Sequence, residues 1–383
     1  MASNEVQGQC DPKFAKLKEL LAANVASDEE LGASICVNIK GKNVVDIWAG
    51  HIDEERKQPW EKDSIVNVWS VTKTITNLAA LIAVDRGLFK VDDKVSKYWP
   101  EFAQNGKEDV EVRHFLSHAS GVSAWDQPVT MEDVCDVEKS TAMLAKQAPW
   151  WAPGTAAGYH AINQGHLVGE LIRRTTGKSL KQFVADELAG PLGADFQIGA
   201  QEKDWSRTST LIPPPALPTE FFSALDPNSP AIKTFTGPPL NALFALSPAW
   251  RKGEIGAANG HGNARSVNRI MSAVSLGGEV DGVRLLSPET INLIFQEQSN
   301  GIDLCIGQPI RYGIGYGLPN PVSSPWIPEG RRCFWFGWGG SMVLMDLENK
   351  MTFSYSMNKM GAGTGGTPRT ISYATAVYEA LKQ

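Results

Sequence analysis

The chain has 383 residues, 42% hydrophobic and 20% charged, an ordinary globular composition with enough apolar material for a large core. A net charge of -6 with no basic stripe excludes nucleic acid as its main partner. The five cysteines (Cys10, Cys36, Cys135, Cys305 and Cys333) are odd in number and hold no CxxC pair, so they read as free thiols in a reducing compartment.

In chain order, the N-terminal stretch MASNEVQGQCDPKF lacks a basic patch followed by an apolar segment. No apolar run in the chain reaches the roughly eighteen residues that suggest a membrane span. The sequence therefore predicts no signal peptide, no membrane partner and a cytosolic location. Residues 12–25 carry apolar positions at helical spacing. The β-rich runs 33–40 and 44–48, on either side of Gly41-Lys42-Asn43, predict a hairpin. Residues 70–87 are apolar along most of their length and close on Arg86-Gly87, which predicts a buried helix. Further helices are expected over 109–118, 130–147, 162–175 and 179–189, divided by Gly/Pro turns.

Residues 199–260 differ, because Pro213-Pro214-Pro215, Pro218, Pro227, Pro230 and Pro238-Pro239 prevent long regular elements. This stretch is expected to be a covering lid or a surface excursion. Helical spacing returns over 262–275 and 287–296. Strand-like runs follow at 333–336, 341–346 and 351–356, and a final helix is expected over 370–382. Strands at both ends and helices between predict an α+β fold. One antiparallel sheet would be built from both termini and flanked by helices, with an inserted all-helical domain. The expected division is 1–68 with 262–383 for the sheet, 69–198 for the helical domain and 199–261 for the Pro-rich insertion or lid. The join would leave a cleft.

Ser70-Val71-Thr72-Lys73 is an S-x-x-K. On a helix, positions three apart share a face, so the lysine amine reaches the serine hydroxyl. Serine is a weak nucleophile without a neighbouring base, and a lysine serves when burial lowers its pKa. A helix start also favours a developing oxyanion. A second S-x-x-K, Ser356 to Lys359, ends a strand, where such positions face opposite ways, and is set aside.

Further along come Phe115-Leu-Ser-His118-Ala-Ser120-Gly121-Val122, then the turn Ala152-Pro-Gly-Thr155, Tyr159-His160-Ala161, and Phe336-Gly337-Trp338-Gly339-Gly340-Ser341 opening a strand. In order and approximate spacing, over roughly residues 15–380, this series resembles the serine β-lactamase and penicillin-binding-protein superfamily. Within it, the series resembles the class-C-like (family VIII) carboxylesterases and the related fungal acyltransferases. The resemblance implies that Ser70 is the nucleophile and that Lys73 and a Tyr159 phenolate form its base. Tyr159 would later return a proton to the leaving alcohol, and the Ser70 and Ser341 backbone N–H groups would form the oxyanion hole. A phenol of pKa near 10 becomes a base only beside a cation, and Lys73 is the available one.

Two positions depart from the lactamases of this superfamily. Ala161 stands where they carry Asn, and Trp338-Gly339-Gly340 replaces their Lys-Thr-Gly, so the lysine that helps bind a lactam carboxylate is missing. Both departures resemble the esterase branch, with Trp338 suited to an uncharged acyl or alcohol group. Gly339, Gly340, His160 and His261 join it as candidate substrate-binding residues. Action on β-lactams or D-Ala-D-Ala peptides would need another cation near Trp338, and Arg369 is the candidate.

The segment Gly361–Gly366 fits G-x-G-x-x-G, but too little chain follows for a nucleotide-binding unit, so it reads as a flexible loop. No G-x-S-x-G elbow is present, which speaks against an α/β-hydrolase. His114 and His118 are four apart but have no third ligand in sight, and His118 is expected to brace the helix-to-loop turn. The expectation is a serine esterase or acyltransferase of small molecules, in secondary or other intracellular metabolism, with no metal and no organic cofactor. A non-enzymatic binding protein on the same fold is the third reading.

Overall fold

Strands from both ends of the chain meet in one nine-stranded sheet in the computed structural model, which describes residues 5–215, 226–363 and 365–382. From one edge its order is Gln7–Cys10, Lys42–Gly50, Gly32–Ile39, Met351–Met357, Met342–Asp346, Arg332–Phe336, Gly317–Leu318, Pro309–Tyr312 and Ser299–Ile302. Every neighbouring pair is antiparallel. The ends of the chain are joined where Gly32–Ile39 pairs with Met351–Met357, from Ala33 opposite Met357 to Ile39 opposite Met351.

Both central strands are buried on both faces, which accounts for their near-continuous apolar character. Neighbouring residues show the two faces. Ser354 Oγ donates to the Ala264 carbonyl at 2.7 Å, below the helix Ala264–Ser275, while the Tyr355 ring packs on Tyr373 of the terminal helix Pro368–Lys382, centroids 5.0 Å apart. The helix Ala15–Ala26 packs beside that terminal helix.

The predicted hairpin forms, with its turn earlier than the sequence suggests. Lys40 and Gly41 both have positive φ (52° and 86°), a two-residue loop that matches strand twist, and the second strand restarts at Lys42. The expected 130–147 helix is two, Met131–Cys135 and Val137–Lys146, because Asp136 leaves the helical region and its carboxylate caps Lys139 N at 3.0 Å. The 109–118 helix shortens to Val112–Leu116 and ends before His118, whose φ is +60°. Four strands of the sheet escape sequence reading: Gln7–Cys10, Ser299–Ile302, Pro309–Tyr312 and Gly317–Leu318. Their Gly, Pro, Asn and Gln content is poor in strand formers, and the ladder holds them in place.

Within 199–260 the helices are short, Pro230–Thr236 and Pro248–Lys252 among them. Pro218 and the middle of the expected lid, 216–225, lie outside the described residues. A small three-stranded sheet of Val66–Asn67, Gly260–Gly262 and Gln197–Ile198 lies just ahead of the predicted nucleophile, with Val68 N donating to Gly260 O at 2.9 Å. The helix Thr72–Asp85, buried from Thr72 to Ala83, runs through the interior against Gln164–Thr176 and Leu180–Val184. Among the described residues, no helix is long and apolar enough to cross a membrane.

Candidate active site

Ser70 sits in a 3-10 turn, Trp69–Val71, that feeds the buried helix Thr72–Asp85. Trp69 holds φ at +50°, an uncommon conformation for a bulky residue and a local strain immediately before Ser70. The Thr72 hydroxyl locks the turn, donating to Trp69 O at 2.5 Å and accepting from Gly260 N at 2.8 Å. Ser70 itself is half-buried, whereas Val71 and the helix behind it are buried.

Lys73, one turn on, places Nζ 3.1 Å from Ser70 Oγ. The amine also reaches the carbonyls of Ala161 at 2.7 Å and Ala257 at 2.9 Å. It is 1% exposed and, among the described residues, no carboxylate faces it, so burial holds its pKa well below the usual lysine value. Tyr159 approaches from the other side, with Oη 2.6 Å from Ser70 Oγ. Its ring centroid is 4.7 Å from Lys73 Nζ, and Trp335 Nε1 donates to its oxygen at 3.4 Å. Burial pushes the Tyr159 phenol up to about 12, against smaller opposing effects of its bonds to Ser70 and Trp335.

The strand opening closes over the same turn. Ser341 Oγ donates to Val68 O at 2.9 Å, and Gly337 N donates to Ser341 O at 2.7 Å. Gly337 lies so close that a Cβ there would collide with Ser341 Oγ and Val68 O. Trp338 packs edge-on to Trp69, centroids 5.1 Å apart, so this candidate binding residue stands beside the turn that carries Ser70. Gly339 and Gly340 take positive φ (86° and 121°) with Met360 and Thr367 against them. The loop from Gly361 is tied to this turn, Gly361 N donating to Gly339 O at 2.8 Å and Gly339 N to Gly363 O at 3.3 Å. Thr364 of that loop lies outside the described residues.

Two predicted binding residues are not brought to the Ser70 oxygen. His160 is fully buried behind Tyr159, its Nδ1–H donating to Gly158 O at 2.6 Å and its Nε2 accepting from the Ser120 hydroxyl at 2.6 Å. Burial lowers its pKa to about 3, so it is a neutral packing group. His261 lies in the small three-stranded sheet, buried, with Nδ1–H donating to Asn259 O at 2.8 Å. Arg369 offers no free cation. Its guanidinium donates to Glu30 Oε2 at 2.6 Å and to Lys359 O at 2.8 Å. Lys359 of the discarded S-x-x-K points its amine to Asp28.

The turn after the helix Val112–Leu116 is closed by Ala119 N donating to His114 O at 2.8 Å. The His118 ring, expected to brace it, instead accepts from His160 N at 3.1 Å. Asp303, Trp335 and the carbonyls of Ala161 and Ala257 complete a site that sequence reading did not assemble. The Asp303 Oδ1 accepts from the backbone N–H groups of Tyr159 (3.1 Å), Cys305 (2.8 Å) and Ile306 (2.8 Å), and Oδ2 accepts from Tyr312 Oη (2.9 Å). The one available signal was an Asp two and three residues before N–H groups it could cap, an Asx turn. Ala161, noted as a departure for its missing amide, contributes through its backbone.

Comparison with known proteins agrees with this fold. The profile of the Beta-lactamase family matches residues 17–377. The chain is 30% identical over 370 residues to "Esterase/beta-lactamase LipL" of Mycobacterium tuberculosis, covering 94% of this chain and 84% of that protein. The crystal structure of a family VIII carboxylesterase superposes with a TM-score of 0.92 at 36% identity, covering 98% of this chain and 100% of that one. A penicillin-binding protein homologue from Caulobacter crescentus superposes at 0.91 and 32% identity, with the same coverage.

Proposed function

Because this chain belongs to the beta-lactamase family and sets Lys73 and Tyr159 around one serine oxygen, we propose that it is a serine carboxylesterase of small-molecule esters, working through an acyl-enzyme on Ser70. The observation that carries the reading is the convergence on Ser70 Oγ of Tyr159 Oη at 2.6 Å and Lys73 Nζ at 3.1 Å.

Burial decides how the two partners divide the work. A neutral amine has two hydrogens, and the carbonyls of Ala161 and Ala257 take both. The remaining lone pair faces the Ser70 hydroxyl. Ser70 Oγ attacks the ester carbonyl carbon as its proton passes to Lys73. The oxyanion faces the N–H of Ser70, in the turn that leads into the helix, and the N–H of Ser341, at the strand opening. As the carbonyl C–O bond to the alcohol breaks, Tyr159 gives that oxygen its phenolic proton. The ammonium of Lys73 then stands beside a phenolate. A water loses its proton to that phenolate and attacks the acyl carbon, and Ser70 Oγ leaves with the proton held on Lys73. Every proton returns to its starting atom.

In this reading the phenolate arises after acylation and not in the resting enzyme, a sequence of events supported by burial, which raises the Tyr159 phenol and lowers the pKa of the Lys73 amine. Acyl transfer uses the same intermediate with an alcohol in place of water. Turnover of β-lactams would need a cation for the lactam carboxylate, and the pairing of Arg369 with Glu30 supports the ester reading instead. The test compares wild type with Ser70→Ala on a short p-nitrophenyl ester, with a chromogenic cephalosporin alongside. The expected result is a loss of about three orders of magnitude or more on the ester, with little cephalosporin turnover by wild type. Equal ester rates in the two proteins would remove Ser70 as nucleophile.

A further inference from the structure

Tyr159 lies in the irregular stretch between Thr155 and Ile162, where neither a helix nor a strand ladder pairs its backbone. Buried N–H groups there need acceptors from elsewhere. Three consecutive ones find them on two residues. Gly158 N donates to His118 O at 2.9 Å, Tyr159 N to Asp303 Oδ1 at 3.1 Å, and His160 N to His118 Nδ1 at 3.1 Å. Since His118 Nδ1 accepts, that ring is a neutral imidazole carrying its proton on Nε2.

His118 also packs against the phenol ring. The His118 ring meets Tyr159 edge-on at 5.0 Å and stacks on Trp335 at 5.8 Å, and Trp335 in turn donates to Tyr159 Oη. Tyr312 joins the two halves. Its hydroxyl donates to Asp303 Oδ2 at 2.9 Å, and its ring lies 5.2 Å from that of His118. Asp303 is 1% exposed and accepts from four donors, so its carboxylate has no freedom to turn away.

We propose that Asp303 and His118 are positioning residues that fix Tyr159 Oη on Ser70 Oγ, acting on the reaction only through that phenol. The proposal rests on the role given to Tyr159 above. A misplacement of the order of 1 Å at a proton donor costs about a hundredfold in rate. Both side chains are buried, Asp303 1% and His118 3% exposed, and leave no surface for a substrate, so the loss falls on kcat more than on KM.

The experiment is a pair of double-mutant cycles on a p-nitrophenyl ester, Asp303→Ala and His118→Phe each made in wild type and in Tyr159→Phe. His118→Phe keeps an aromatic ring while deleting the Nδ1 acceptor, so it remains informative if Asp303→Ala fails to fold. The expected result is a loss of about a hundredfold in kcat for each variant in the wild-type background, with KM moved by less than about threefold. In the Tyr159→Phe background the same changes cost less than about threefold. Asp303→Asn, which keeps an acceptor oxygen, recovers at least about a tenfold share of the loss. Equal losses in both backgrounds, or no loss in either, would overturn the proposal. Tyr159→Phe alone reports separately on the parent reading: wild-type turnover by that single variant would remove Tyr159 from the mechanism, whatever the cycles show.

Discussion

Among the described residues no carboxylate faces Lys73, and two backbone carbonyls orient the amine towards Ser70. Burial therefore sets its proton affinity, and the sign of the pH dependence follows. Below its depressed pKa the group is an ammonium and cannot accept the Ser70 proton; above it, the amine can. The rate constant kcat/KM for ester hydrolysis should rise with pH through a single ionisation lying below the ordinary lysine value. It should then level, because Tyr159 keeps its proton until about 12. Lys73→Arg keeps a cation that does not deprotonate in this range, and should cost about two to four orders of magnitude with no recovery at high pH. A pH–rate profile of both proteins checks this. At this scale the sequence was legible for Ser70, Lys73 and Tyr159, picked out by type and order, the latter two lying within hydrogen-bond distance of Ser70 Oγ in the structure. It misled on His160, whose ring is buried and spent on Gly158 O and the Ser120 hydroxyl. It was silent on Asp303, which lies 144 positions from the Tyr159 N–H it holds.

Between the strand Arg332–Phe336 and the strand Met342–Asp346, the chain turns against the 3-10 turn that carries Ser70, and the spacing between those elements is set by a missing side chain. Gly337→Ala adds a Cβ where Ser341 Oγ and Val68 O already sit, so the strand opening must move off the nucleophile turn. The expected cost is about 1–3 kcal/mol of stability, read by denaturant unfolding, together with at least a roughly tenfold fall in kcat as the Ser341 N–H shifts. An unchanged kcat with lowered stability would separate packing from catalysis at this turn. Element reading from sequence succeeded where apolar periodicity was long, as in 70–87 and 370–382. It failed where a single capping side chain decided the outcome, as at Asp136, and where pairing with a neighbour made a strand of Ser299–Ile302.

For the molecule as a whole, the sheet closes by bringing the end of the chain to its beginning, and an ion pair stands at that closure. Arg369, in the first turn of the terminal helix, and Glu30, just before the strand Gly32–Ile39, meet at 2.6 Å with side chains 9% and 0% exposed. Tyr355 and Tyr373 also donate to the Glu30 carboxylate. Glu30→Ala leaves the guanidinium buried without its counter-charge, and should cost about 3–5 kcal/mol in denaturant unfolding while leaving the Ser70 site intact in the protein that remains folded. The two-ended sheet was legible because strand-like runs cluster at both ends of the sequence. The partner of Arg369 was not, since the helix and the residue it pairs with are 339 positions apart.

The central claim, an acyl-enzyme on Ser70, is tested most directly by trapping it. Wild type is quenched in acid during turnover of a slowly hydrolysed ester, digested, and its peptides weighed. The predicted result is one acyl mass on the peptide containing Ser70, absent from Ser70→Ala and accumulating when deacylation is slowed in Tyr159→Phe. An acyl mass on another residue, or steady ester turnover by Ser70→Ala with no adduct in either protein, would contradict the account.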